Sequence, residues 1–192
     1  MATAYETLRQ RIIDIVVNAR GADGSLGTDA TNKSIPLGRF RASVDRAPLT
    51  DPTYPASYFD RSVFVDWISD EDDEVVNNPL DSSHFMLAHL SVSHGVYYGT
   101  AASAFVTLAS GTEVKATVAL TPKERGLNDA LRIKRALGCP DLLRGGTTID
   151  PAPLSCVREG LTTLQDLGNG RLVVVTNYSL RYQSNNSTLY DP

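Results

Sequence analysis

The sequence predicts an α+β fold: a mainly antiparallel sheet with an N-terminal helix and a second helix packed on it, and a long closing C-terminal strand. Two stretches have helical spacing of apolar residues and open with a capping box, several others alternate apolar and polar residues, and residues 171–183 alternate without interruption. A chain of 192 residues with 42% hydrophobic content fits one domain, 1–192, with a sizeable core.

The first helix is predicted from its capping box and its apolar stripe. Thr3 and Glu6 fit the S/T-x-x-E/Q pattern, in which each side chain bonds a free backbone N–H of the first turn. Apolar residues then recur on one helical face: Tyr5, Leu8, Ile12, Ile15, Val16 and Ala19. Ile13 and Val17 fall outside that stripe. They either widen the core face or form a second apolar surface, a subunit interface with a neighbouring copy.

Three polar segments are expected to lie outside the core. Residues 21–38 contain four glycines and predict a flexible, exposed loop. A run of five acids lacks the spacing of a calcium loop and predicts a solvated docking loop: Asp70, Glu71, Asp72, Asp73 and Glu74. The C-terminal arm, 184–192, offers Leu189 and Tyr190 as anchors for docking.

Alternation predicts the strands. Residues 39–45 should bury Phe40, Ala42 and Val44, and residues 61–69 should bury Val63, Val65 and Trp67 on one face. The turn around Gly111 separates two alternating flanks and predicts a hairpin, which would continue the strand of residues 83–99 as a meander. Residues 171–183 predict a strand of about 43 Å, which either extends past its own domain or crosses the whole sheet.

The second helix is predicted to open at Thr121, with Glu124 completing a capping box and Pro122 at the first helical position. Gly126 weakens the first turn, so that a later start at Asn128 is an alternative. The inward face is expected to comprise Leu127, Ala130, Leu131 and Leu137, with Ile133 flanking. The secondary structure of residues 139–170 is not decided by the sequence pattern. Val157, Leu161 and Leu164 have helical spacing, while Gly160 and two threonines favour extended structure.

All three histidines fall in one apolar stretch: His84, His89 and His94. In a strand, positions five apart point to opposite faces. His84 and His94 share a face but stand about 33 Å apart, too far to ligate one metal ion. No nucleophile elbow, phosphate-binding loop or metal-ligand pair occurs in the sequence. We therefore predict no catalytic, cofactor-binding or metal-binding residues, and a protein that acts through its surface.

Composition excludes some further classes. A net charge of −4 argues against a broad basic face that tracks DNA. Cys139 and Cys156 cannot build a disulfide framework and are expected to be reduced thiols. The N-terminus lacks the pattern of a signal peptide, and no apolar run reaches the length of a membrane span.

Three segments carry a resemblance to a known family: YETLRQRIIDIVVNAR at the start, NDALRIKRALG in the middle and GRLVVVTNYSLRYQ at the end. Their layout resembles that of the tail terminator proteins of long-tailed bacteriophages. The resemblance implies a virion protein, made in the host cytoplasm, that forms a ring, usually a homohexamer, at the neck. Its partners would be the tail tube protein and the head connector, with DNA passing through the lumen unread. The resemblance assigns no functional residue.

Other interpretations remain open at this stage. Another head–tail adaptor belongs to the same class. A small ligand- or carbohydrate-binding module could use Tyr54, Tyr58, Tyr97 and Tyr98 to line a shallow site. An enzyme of unrecognised type would use one of the histidines with an aspartate.

Overall fold

A five-stranded sheet with helices against it organises the chain. The computed structural model describes residues 4–19, 40–73, 83–97, 105–107, 113–115, 121–144 and 152–185. Its elements in chain order are α1 (Ala4–Val17), β1 (Arg41–Ala42), α2 (Ala47–Thr50), α3 (Ala56–Phe59), β2 (Ser62–Asp72), β3 (Ser83–Tyr97), β4 (Phe105–Thr107), β5 (Glu113–Lys115), α4 (Pro122–Leu137), α5 (Pro140–Arg144), β6 (Ala152–Gly168) and β7 (Arg171–Asn185). The predicted α+β class is confirmed.

The strand order in the sheet is β1-β2-β3-β7-β6. Every neighbouring pair is antiparallel except β1 and β2, which run parallel. The closing strand β7 pairs along its length with β3 on one side and with β6 on the other. It therefore crosses the whole sheet as an interior strand, which explains its unusual length.

One side of the sheet, the helix face, packs against α1, α4 and α5. Alternate residues of β3 and β7 point to this side and are almost fully buried because the strand period is two; in β7 they are Leu172, Val174, Thr176, Tyr178, Leu180 and Tyr182, as predicted. The largest core cluster joins Tyr178, Leu180 and Tyr182 to the predicted stripe of α1. A smaller cluster holds Leu172 and Val174 against Ala130 of α4.

The opposite side, the outer face, is covered at one end by the short helices α2 and α3. Leu49 and Phe59 pack there on Val173, with Tyr97 alongside. The backbone of α3 approaches so closely that a methyl group at Gly95 would overlap the carbonyl oxygen of Phe59. This position therefore requires glycine.

Two strand predictions need correction. Of residues 39–45, β1 includes Arg41 and Ala42 alone; Phe40 is buried, but Ala42 is exposed and Val44 is 92% exposed. The chain turns away from the sheet after Ser43 and enters α2, so the alternation has no second layer to face. The hairpin around Gly111 is confirmed in β4 and β5, yet these strands form a separate two-stranded sheet and not a meander with β3.

Helix α4 begins at Pro122, with the capping box between Thr121 and Glu124 in place, so the alternative start at Asn128 is wrong. Leu127 and Leu131 are each 42% exposed and lie on the flank of the helix, whereas Ala130, Ile133 and Leu137 are buried. Gly126 has a packing role. A side chain there would press on Val174, so glycine lets the helix lie close to the sheet.

The stretch left open by the sequence contains α5 and the 17-residue strand β6. The extended interpretation is therefore the correct one for residues 152–168. Among the described helices, none combines the length and the apolar character that a bilayer crossing requires.

Candidate functional site

The helix face encloses a network of charged side chains around His94. Asp129 of α4 accepts from Arg61 Nε at 3.4 Å and from Arg132 at 3.1 Å, and all three residues are at most 5% exposed. Arg132 also donates to the carbonyl oxygen of Ala19 at 2.8 Å, which ties the end of α1 to α4. Buried charges are costly unless they are paired and hydrogen-bonded, and here one carboxylate serves two guanidinium groups.

His94 lies within this network as an uncharged ring. It is 1% exposed and its ring meets that of Phe40 edge-on, with centroids 5.5 Å apart. Burial lowers the pKa of His94 to about 4, so it is neutral at physiological pH. Within the described part of the chain, its Nε2 has no hydrogen-bond partner.

The backbone beside this network is held in an uncommon conformation. Arg61 has a φ of 57°, in the left-handed region that non-glycine residues rarely adopt. Its N–H donates to Gly95 and its carbonyl accepts from Arg41, which fixes the strained residue between β1 and β3. The neighbouring Asp60 accepts from Arg125 at 2.7 Å and so ties the start of α4 to the same corner.

On the outer face, His89 joins three strands. Its Nδ1 lies 3.2 Å from Glu159 of β6, and its Nε2 lies 3.3 Å from Glu71 of β2. Hydrogen bonding to Glu159 first, and then to Glu71, raises the pKa of His89. Both ring nitrogens are occupied by carboxylates, so the ring is held as a bridge between strands and not as a free base.

The histidines thus follow the predicted geometry where it is visible. His89 and His94 point to opposite faces of β3, and the side chain of His84 lies outside the described residues. No group of three or more His, Cys, Asp or Glu side chains that could hold a metal ion occurs in the described ranges. Arg61 and Asp129 could not be predicted as a pair, because they lie 68 positions apart and no local pattern connects them.

The predicted loop is wrong for the described part of the acidic run, although Asp70 and Glu71 are exposed as predicted; docking through these residues stays a prediction. Residues 70–72 continue β2. Asp70 accepts from Trp67 at 2.9 Å and Glu71 binds His89, while Asp73 is 5% exposed and pairs with Arg181 at 2.5 Å. The strand partners use these charges inside the subunit. Glu74, Leu189 and Tyr190, and the loop 21–38, lie outside the described residues.

The predicted interface residues belong largely to the core. Ile13 is 7% exposed, and Val17 is half-buried against the same cluster. The first interpretation, a widened core face, therefore describes Ile13, which offers little surface to a neighbouring subunit. The reason is that α1 is covered on two sides, by the sheet and by α4 and α5, so its apolar face is wider than a single stripe.

Three of the four tyrosines lie in the described residues, all near α2 and α3 at one end of the outer face. Tyr97 packs into the cluster under α2 and α3, Tyr54 is half-buried, and Tyr58 is 59% exposed; Tyr98 lies outside the described residues. Cys139 and Cys156 are free thiols. Burial raises the pKa of Cys156 to about 12, so it stays protonated and unreactive at neutral pH.

The sheet has two outer edges without a strand partner among the described residues, at β1 and at β6. The two most exposed large apolar side chains of the described chain lie at these edges. Val44, just after β1, is 92% exposed, and Leu161 of β6 is 87% exposed. Exposed sheet edges readily pair with other chains, and proteins usually blunt them with charge or proline.

The sequence of this chain matches no protein-family model, and a search of curated proteins finds no match either.

Proposed function

We propose that this chain is a structural protein of a bacteriophage virion, a tail terminator that forms a ring at the neck, ends polymerisation of the tail tube and joins the tail to the head connector. The proposal rests on the resemblance in layout and on the character of the surface. Another head–tail adaptor of the neck is the neighbouring assignment, since it would use the same kind of assembly.

The observation that carries the proposal is the pair of open edges. As a monomer, the chain leaves the apolar side chains of Val44 and Leu161 almost fully in water. A subunit that assembles through both edges buries them, and each buried leucine or valine contributes about 1.5–3 kcal/mol. The charged groups beside His94 pair with one another and the ring of His89 pairs with two glutamates, which favours an architectural role for both clusters.

The first experiment is the molar mass in solution, measured by light scattering after gel filtration. We expect a discrete species of six times 20.8 kDa, seen as a ring with a lumen by negative-stain electron microscopy. Tail tubes of the phage that encodes the chain, polymerised with the protein present, should stop at one end where the ring binds. A strict monomer that also leaves these tubes unchanged would overturn the proposal.

A further inference from the structure

The two open edges run in directions that suit each other. In the sheet, β1 and β2 run in the same direction. Strand β7 also runs in that direction, because β3 is antiparallel to both β2 and β7. Strand β6 is antiparallel to β7, so the two edge strands β1 and β6 run in opposite directions. If the sheet of one copy continued into the next, β6 would lie beside β1 of that copy in antiparallel orientation. Antiparallel pairing is the more stable of the two ladders and needs no adjustment of either subunit.

At the β1 edge, the backbone of Ala42 faces outward. The N–H groups of Arg41 and Ser43 donate to Arg61 and Val63 of β2. Because backbone groups alternate in direction along a strand, the N–H and carbonyl of Ala42 point away from β2, toward the outer edge. Ala42 is exposed, and Val44 is 92% exposed where the chain leaves the strand.

At the β6 edge, a bulge presents Leu161. Residues 160–162 lie opposite the single residue Thr176 of β7, so the strand bows outward there. Gly160 supplies the positive φ of 62°, and Arg158 Nε donates to its carbonyl oxygen at 3.1 Å, which fixes the bulge. A bulge is one way in which proteins blunt a sheet edge, and a charged side chain is another; this bulge carries the apolar Leu161, which is 87% exposed.

The formal charges of the edges are opposite. Residues 40–46 contain two arginines and one aspartate, which gives +1, and β6 contains one arginine, one glutamate and one aspartate, which gives −1. Two β6 edges would therefore repel each other weakly, whereas a β6 edge and a β1 edge attract. Complementary charge selects the partner and the register of an interface more than it sets its affinity.

We infer that the partner of the β6 edge is the β1 edge of a second copy of this chain, joined head to tail with Leu161 against Val44. This inference rests on the proposed function, since it names the contact through which the ring would form. A head-to-tail contact uses two different surfaces of each copy, and such contacts close into rings when the rotation allows.

Disulfide trapping tests this contact. Val44→Cys and Leu161→Cys are made as separate proteins, each in a Cys139→Ser background. A disulfide between them reports close contact, because it needs Cα atoms within about 7 Å. Mixed and oxidised, they should form a linked dimer of twice 20.8 kDa, and the double variant should form a ladder up to the size of the ring. Ile68→Cys, 59% exposed on the interior strand β2, is the matched control and should form no link.

The outcomes separate the two proposals. Assembly without the mixed link, or a link of Leu161→Cys to itself, would overturn the head-to-tail contact and leave the ring function standing. A monomer under every condition would overturn both. As an independent measurement, Leu161→Asp should weaken assembly at least tenfold, while Ile68→Asp leaves it unchanged; equal urea midpoints of the two variants would show that folding is not the cause.

Discussion

His94 and His89 lie five residues apart on β3, and the two faces of the sheet give them contrasting surroundings. His94 is enclosed with Arg61, Asp129 and Arg132 and is neutral, with a pKa of about 4. His89 is partly exposed between Glu71 and Glu159, and its pKa is raised. The side of the strand, and not the residue type, decides whether the pKa of the ring is lowered or raised.

The comparison extends to the charged pairs on each face. Asp129 and its arginines are buried, whereas Arg46 and Asp66 on the outer face keep 52% and 41% of their side-chain surface. Removing one charge of a buried pair lowers stability strongly, because the other charge is left without a partner and away from water. An exposed pair is screened by solvent, so the same hydrogen bond contributes little to stability.

The largest expected effect comes from removing the shared carboxylate of the helix face. Asp129→Asn preserves the shape but leaves Arg61 and Arg132 without that negative charge, so we expect a loss of about 3–5 kcal/mol in the free energy of unfolding. Asp66→Asn is the matched control on the outer face and should cost less than about 1 kcal/mol. Urea unfolding of both variants measures the difference, and equal losses would contradict the contrast between the faces.

The sequence allowed prediction of the parts that depend on local periodicity. The alternation of β7, the capping box at Thr121 and the opposite orientation of His89 and His94 all follow from spacing alone. Contacts between residues that lie far apart in the chain could not be predicted from the sequence. The burial of Asp73 depends on Arg181, more than a hundred positions away, and no local pattern records such a pair.

Regular spacing of apolar residues also predicted burial at positions that no second layer of the structure covers. Val44 alternates correctly with Phe40 and Ala42 but has nothing to pack against, and Leu131 has a suitable helical position yet lies on the flank of α4. Conversely, Gly126 weakens the helix locally and is required by the close approach to Val174. Packing between layers overrides local propensity in each case.

The next effect in size is the pH dependence that His94 gives to stability. Its folded pKa of about 4 lies below the ordinary value of 6.5, so the unfolded chain binds the proton first. Stability from this residue is therefore complete above pH 6.5 and declines as pH falls toward 4, by up to about 3 kcal/mol. His94→Gln should flatten the decline in urea titrations between these pH values, while His89→Gln should not. A profile that His94→Gln leaves unchanged would show that the ring is not buried as neutral imidazole.

The smallest effect concerns His89 and has the opposite sign. Its raised pKa means that pairing with Glu159 and Glu71 stabilises the fold fully below pH 6.5 and is lost as pH rises through the folded pKa, an effect below about 1 kcal/mol for so exposed a cluster. Titration of the ring by nuclear magnetic resonance measures this directly. Glu159→Gln should lower the pKa more than Glu71→Gln, because its hydrogen bond is the stronger cause, while Asp141→Asn on α5 leaves it unchanged. If the pKa stays raised in both glutamine variants, the carboxylates do not hold the proton on His89, and the outer face differs from the helix face in burial alone.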